Sequence, residues 1–149
     1  LSTASVIIEN SNLRRKFNIL LDHLHIGGGN IFGNIASEQA YLYGDSYVDE
    51  LMDYLKKNVE ILQKYVTENL PNIEVIEPEA TFLVWLDCRK MGMNDEELNK
   101  FFLNSARVGM NPGAMFGPGG EGFMRMNIGC PAITLMQGLR QIKEAMSLL

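Results

Sequence analysis

The sequence predicts an α+β fold, a mostly antiparallel sheet with helices on one face, preceded by helical segments and one long helix. Three observations carry this. Val48, Leu51, Met52, Leu55, Val59, Leu62 and Val66 recur at helical spacing as one continuous apolar stripe. After Pro71 the spacing of apolar residues changes from helical to alternating. The remainder then reads strand, strand, helix, strand, strand, helix, an order typical of helices packed on one face of an antiparallel sheet.

The elements follow in order. Residues 4–8 are a short β-branched run and are expected as a buried strand. Asn10, Ser11 and Asn12 offer caps to a helix whose apolar positions are Leu13, Phe17, Leu20, Leu21 and Leu24. Three consecutive glycines, Gly27 to Gly29, break that helix. A second helix runs over 31–43 and stops at Gly44. The long helix begins at Asp45 or Ser46 and cannot pass Pro71. At about 1.5 Å per residue it spans about 36 Å, enough to bridge two domains. Residues 73–77 and 81–87 are strand candidates separated by Pro78-Glu79-Ala80, so a hairpin is expected. Asn94-Asp95-Glu96-Glu97 resembles a capping box, with Leu98, Phe101, Phe102 and Ser105-Ala106 facing inward. Residues 107–110 read as a short strand, 111–113 and 117–122 as loop, and 123–128 as the last strand. Thr134-Leu135-Met136-Gln137 reads as a second capping box, opening a helix with Met136, Leu139, Ile142 and Met146 inward.

Composition bounds the function. The 149 residues are 46% hydrophobic and 21% charged, with a mean hydropathy of −0.03, which suits a soluble globular chain and argues against disorder. The net charge is −5 and the basic residues are scattered apart from Arg14-Arg15-Lys16. Neither nucleic acid nor a membrane is therefore expected as a partner. No apolar run approaches the roughly 20 residues of a membrane span. Cys88 and Cys130 lie far apart, with no C-x-x-C, as expected of reduced, buried thiols in a cytoplasmic protein. The chain carries no secretory signal and does not begin with Met, and is expected to start inside a larger polypeptide.

Several motifs have ordinary explanations. Gly117-Pro118-Gly119-Gly120-Glu121-Gly122 matches G-x-G-x-x-G, but a dinucleotide site needs a helix start directly after it, and the following residues alternate as a strand. His23 and His25, two apart on a helix, diverge too far to share a metal, and no metal site is expected. Asp95, Glu96 and Glu97 suit a helix N-terminus. Trp85 sits in a strand with Phe82 and Leu83 and is expected in the core. Arg125 is more informative. Strand alternation puts Phe123, Arg125 and Asn127 on one face and Met124, Met126 and Ile128 on the other, which is the natural core face. A guanidinium suits a carboxylate or phosphate, through two parallel hydrogen bonds. Spacing alone favours an ordinary exposed or salt-bridged arginine.

Three ordered stretches resemble a known family: the hairpin Pro78-Glu79-Ala80-Thr81-Phe82-Leu83-Val84-Trp85-Leu86-Asp87, the loop Asn111-Pro112-Gly113-Ala114-Met115-Phe116-Gly117, and the strand Gly122-Phe123-Met124-Arg125-Met126-Asn127-Ile128-Gly129. The family is the class I/II aminotransferases, fold-type I pyridoxal-phosphate enzymes, in particular the cystathionine β-lyase-like (MalY/PatB type) branch. His25-Ile26-Gly27-Gly28 and Asn30-Ile31-Phe32-Gly33 also resemble that branch. The resemblance covers essentially all of the chain and implies a remnant of the large cofactor domain in 1–44, a bridging helix in 45–71 and the C-terminal small domain in 72–149.

It also implies that Arg125 grips the substrate α-carboxylate, with Asn127 beside it. Such a grip orients the Cα–H bond for cleavage. In the lyase branch a lysine removes that proton, a thiol leaves from Cβ, and pyruvate and ammonia follow. The family's Schiff-base lysine lies in a turn upstream of residues 4–8, and none of Lys16, Lys56, Lys57, Lys64, Lys90, Lys100 and Lys143 matches it. These residues alone are expected to be inactive and to hold no pyridoxal phosphate, whereas the full-length parent uses it on a sulfur-containing amino acid, as a homodimer. An unpaired strand at 4–8 would invite self-association. A parent aminotransferase is the near alternative, and a non-catalytic aminotransferase-like regulatory module the more distant one.

Overall fold

The computed structural model describes residues 1–27 and 29–149, which group into two compact units, Leu1–Asp49 and Glu50–Leu149. In the first unit, α1 (Ser11–Leu24) is opened by Asn10, whose Oδ1 accepts from the backbone N–H groups of Asn12 at 3.0 Å and Leu13 at 3.1 Å. It ends at His25, which turns left-handed at φ 53° and donates its N–H to the Asp22 carbonyl. Asn30 caps α2 (Ile31–Tyr43) through the Gly33 N–H. Residues 4–8 form no strand, contrary to expectation. A strand is held by its neighbour's ladder, and among the described residues none runs beside it. Val6 and Ile7 are exposed, and the Arg14 guanidinium takes the Ile8 carbonyl at 2.8 Å.

The 25-residue helix α3 (Asp45–Asn69) is the long helix the stripe predicts. From Glu50 on it belongs to the second unit, where Leu55, Leu62 and Val66 are buried; Val48 and Met52 are exposed. Beyond Pro71 come β1 (Glu74–Val75) and β2 (Leu83–Asp87), the expected hairpin, with Val75 opposite Leu86. The Asn94 and Glu97 capping box forms with both bonds at 3.0 Å and opens α4 (Asp95–Lys100). The helix then widens into a π turn over Phe101–Ser105. Phe101, Phe102 and Ala106 are buried, while Ser105 is exposed.

Residues 107–110 are not a strand. Arg107 is left-handed at φ 55°, which turns the chain, and the Val108 N–H folds back to the Phe102 carbonyl. The short strand is instead β3 (Asn111–Pro112), followed by a 3-10 turn over Gly113–Phe116 and the glycine loop. Strand β4 (Phe123–Asn127) pairs antiparallel with both β2 and β3, giving the order β1-β2-β4-β3. The last helix, α5 (Ala132–Met146), starts two residues earlier than Thr134 and makes no capping box. Pro131, at φ −55°, presets the first turn, and its carbonyl takes the Thr134 N–H. Its buried positions are Leu135, Leu139, Ile142 and Ala145; Met136 and Met146 are half-buried.

The core lies on one face of the sheet. Val84 and Leu86 of β2 and Met124 and Met126 of β4, with Ile128 just beyond, pack among Leu55, Leu62, Phe102, Leu139 and Ile142. One polar side chain is buried there. Asn58 on α3 is 1% exposed, and its Nδ2 donates to the carbonyls of Ile128 and Cys130, each at 2.9 Å. Those carbonyls lie where the chain leaves β4, and the Tyr54 hydroxyl accepts the Ala132 N–H at 2.8 Å on the same stretch. Replacing Asn58 by Leu orphans the buried Ile128 carbonyl and the part-buried Cys130 carbonyl but also removes Asn58 Oδ1, itself buried without a partner, for a net cost of about 1–3 kcal/mol. Denaturant titration of Asn58→Leu should show a destabilisation of about that size with an unchanged slope.

Candidate functional site

The sheet face away from the core carries Leu83, Trp85 and Asp87 from β2 and Phe123, Arg125 and Asn127 from β4. Alternation sorts the two strands cleanly: Met124 and Met126 are buried, while Phe123 and Arg125 are half-buried. Trp85 is thus not a core residue. It shares the Arg125 face, because Val84 and Leu86 on either side of it are the buried pair. Register places Trp85 directly opposite Arg125 on one neighbouring strand and Asn111 directly opposite it on the other.

The guanidinium of Arg125 is surrounded but not neutralised. Its Nη2 donates to Asn111 Oδ1 at 3.0 Å, and its Cζ lies 4.5 Å from the centre of the Phe116 ring. Phe116 in turn meets Trp85 edge to face, with centroids 5.4 Å apart and planes at 89°. Arg125 Nε is buried and has no hydrogen-bond partner, and among the described residues Arg125 makes no ion pair. Asn127, on the same face, spends its Oδ1 on the Gly129 N–H at 2.8 Å and is exposed.

The loop that delivers Phe116 is fixed by close backbone approach. A Cβ on Gly113 would run into the Gly120 carbonyl oxygen, and one on Gly120 into the Gly113 carbonyl, so both positions require glycine. Asp95 Oδ1 accepts the Gly122 N–H at 2.8 Å, tying the end of the loop to the start of α4. The loop feeds β4 and not a helix, so the G-x-G-x-x-G pattern has no dinucleotide geometry. Beside it, Ile76, Trp85, Phe116, Phe123 and the loop backbone line a hollow of about 410 Å³ with no titratable side chain in its wall. No group of metal-ligating residues occurs among the described residues, His23 and His25 included.

Asp87, at the end of this face, is committed elsewhere. Its carboxylate receives the Arg89 guanidinium at 2.6 Å, and this hydrogen bond holds the Asp87 carboxyl below its ordinary range. Next to it, Cys88 points into the core; burial, aided by the Asp87 charge, pushes its thiol up to about 12. Cys130 is half-buried, and both cysteines are free.

Residues 12–142 match the family model for aminotransferases of class I and II. The chain is 40% identical over 147 residues to the cystathionine beta-lyase PatB of Bacillus subtilis, covering 99% of this chain and 38% of that protein. It is 31% identical over 146 residues to the protein MalY of Escherichia coli, covering 97% of this chain and 37% of that protein. Among solved structures, cystalysin of Treponema denticola, which contains pyridoxal 5'-phosphate, superposes with a TM-score of 0.91 at 27% identity over 95% of this chain and 36% of its own. The pyridoxal-phosphate-bound C-S lyase of Staphylococcus hominis gives 0.82 at 31% identity over 93% of this chain and 36% of its own. The chain belongs to the class I and II aminotransferase family, and it spans little more than a third of the length of these relatives.

The hollow beside Arg125 is lined by no lysine. All seven lysines are exposed; Lys90, Lys100 and Lys143 are engaged with Glu74, Glu96 and Asn69. The carboxylates on the Arg125 face, Asp87 and Glu74 opposite it, are engaged by Arg89 and Lys90.

Two outcomes follow from the neighbouring groups. Asp87 is held below its unfolded value, so the stability it contributes is complete above the ordinary carboxylate range. That contribution fades as pH falls through its folded value. The stability gap between the native chain and Asp87→Asn, followed by thermal unfolding, should be present near neutrality and close in strong acid. A thiol held at about 12 and buried should resist alkylation near neutral pH. Mass mapping should find Cys88 modified only once the chain is unfolded.

Proposed function

We propose that these residues act in a pyridoxal-phosphate-dependent carbon–sulfur β-lyase of the cystathionine β-lyase type, in which Arg125 grips the α-carboxylate of the amino-acid substrate. The observation that carries this is the buried, partnerless Nε of an arginine that has an aromatic ring and an amide around it and no carboxylate. A guanidinium with no anionic partner is costly to leave unpaired, and a ligand carboxylate satisfies it with charge-assisted bonds. Asn127 keeps its Nδ2 for a further donor on the same face. The carbon–sulfur reading is supported by relatives named cystathionine beta-lyase and C-S lyase.

Under this reading the full-length protein splits the Cβ–S bond of a sulfur-containing amino acid with addition of water, giving a thiol, pyruvate and ammonia. Pyridoxal phosphate, when bound, supplies the electron sink. The attachment lysine lies outside these 149 residues, a reading supported by the exposure of all seven lysines here. The contribution of this chain is to hold the carboxylate and so limit rotation about the bond to Cα. A homodimer is the proposed assembly.

Arg125→Lys in the full-length protein keeps the charge and loses the fork of parallel donors. One charge-assisted hydrogen bond is worth about 1.5–3 kcal/mol, so kcat/KM for amino-acid substrates should fall about ten- to hundredfold. The cofactor absorbance should be unchanged. The assay is pyruvate release without any added keto acid, which also separates a lyase from an aminotransferase. Full activity in Arg125→Lys would overturn the assignment.

A further inference from the structure

Arg125 has a built surround, and its parts come from three separate pieces of chain. Asn111 arrives on β3, Trp85 on β2, and Phe116 on the turn between β3 and the glycine loop. Each constrains a different freedom of the guanidinium. Phe116, whose ring centre lies 4.5 Å from Cζ, covers one side of it in a cation–π contact. The 3.0 Å bond from Nη2 to Asn111 stops rotation within that plane. Together they determine where the partnerless Nε points. Trp85 has no hydrogen bond to Arg125; it stands edge-on against Phe116 and limits the tilt of that ring.

We propose that Asn111 and Phe116 are positioning residues that hold the Arg125 fork ready for the carboxylate. This rests on the reading of Arg125 as the carboxylate-gripping residue. An arginine side chain left free gives up about 2 kcal/mol of rotamer entropy when it is ordered. Ordering it before the ligand arrives shifts that cost from binding to folding. The expected signature is weaker binding of the carboxylate end of a ligand, with little change in a bound substrate's conversion.

The test uses the full-length protein with its cofactor. Asn111→Ala and Phe116→Leu should each raise KM for the amino-acid substrate about three- to tenfold, with kcat within about twofold. Phe116→Tyr keeps a ring face and should restore KM. Calorimetric binding of a short aliphatic carboxylate should weaken by the same factor in Asn111→Ala and Phe116→Leu. Affinity for the matching carboxamide should stay unchanged, a difference that a general loss of structure does not produce. In an Arg125→Lys background neither substitution should weaken binding further, because the fork they position is gone.

The outcomes separate the two ideas. Asn111→Ala and Phe116→Leu at native KM and carboxylate affinity, beside a damaged Arg125→Lys, would overturn the positioning role and leave the role of Arg125 standing. An undamaged Arg125→Lys would overturn both. Losses that hit carboxylate and carboxamide alike would mark Phe116 and Asn111 as structural only and refute the proposal. Asn111 is exposed, so its substitution remains informative if Phe116→Leu fails to fold.

Discussion

Burial of Met124, Met126 and Ile128 fixes the direction of Arg125. A strand sends successive side chains to opposite faces, so a slip of one residue would exchange the two sets entirely. Each buried apolar side chain is worth about 1.5–3 kcal/mol, and the exchange would also drive a guanidinium into the core, where it has no partner. All three apolar residues are 5% exposed or less. Core packing and site orientation are therefore set by a single register, and β4 needs no special backbone geometry to present its cation.

The same register recruits the rest of the face. Because β2 and β3 both pair with β4 antiparallel, whichever residues stand opposite Arg125 become its neighbours, and these are Trp85 and Asn111. The pairing would mean little if the end of β4 were loose. Asn58 prevents that by donating to the carbonyls of Ile128 and Cys130, 70 and 72 residues further along the chain. A helix whose buried side chains are otherwise apolar thus carries one amide that locks the exit of β4. The opposite end of the strand is tied through the glycine loop, by the mutual approach of Gly113 and Gly120 and by Asp95 on Gly122.

Local signals were legible where they were self-sufficient. The stripe of α3, the Asn94–Glu97 capping box, the hairpin and the alternation of β4 all rest on neighbours in sequence, and all are present. Residues 4–8 failed because β-branching describes a preference for pairing and cannot supply the partner. Residues 107–110 failed because a left-handed Arg107 leaves no mark in an apolar pattern. The site was half legible. Alternation isolates Arg125 and, applied to 83–87, would have moved Trp85 out of the core and onto the same face. Asn111 and Phe116 could not be found that way, since their approach to Arg125 depends on strand order and on the path of a loop, neither of which a local period encodes.

The face is notable for the proton chemistry it lacks. The amides of Asn111 and Asn127 do not titrate, nor do the Phe116 ring and the Trp85 indole, whose N–H is a donor only. Asp87 could act as an acid or base, but Arg89 holds its carboxylate ionised through a bidentate contact. Cys88 is the nearest nucleophile in sequence, yet β2 turns it to the core side, and burial keeps its sulfur protonated. Under the proposed role, such an arrangement would orient a carboxylate without competing for the substrate's protons or for a thiol. Its value lies in geometry held constant, which is what a sheet with one buried register is suited to supply.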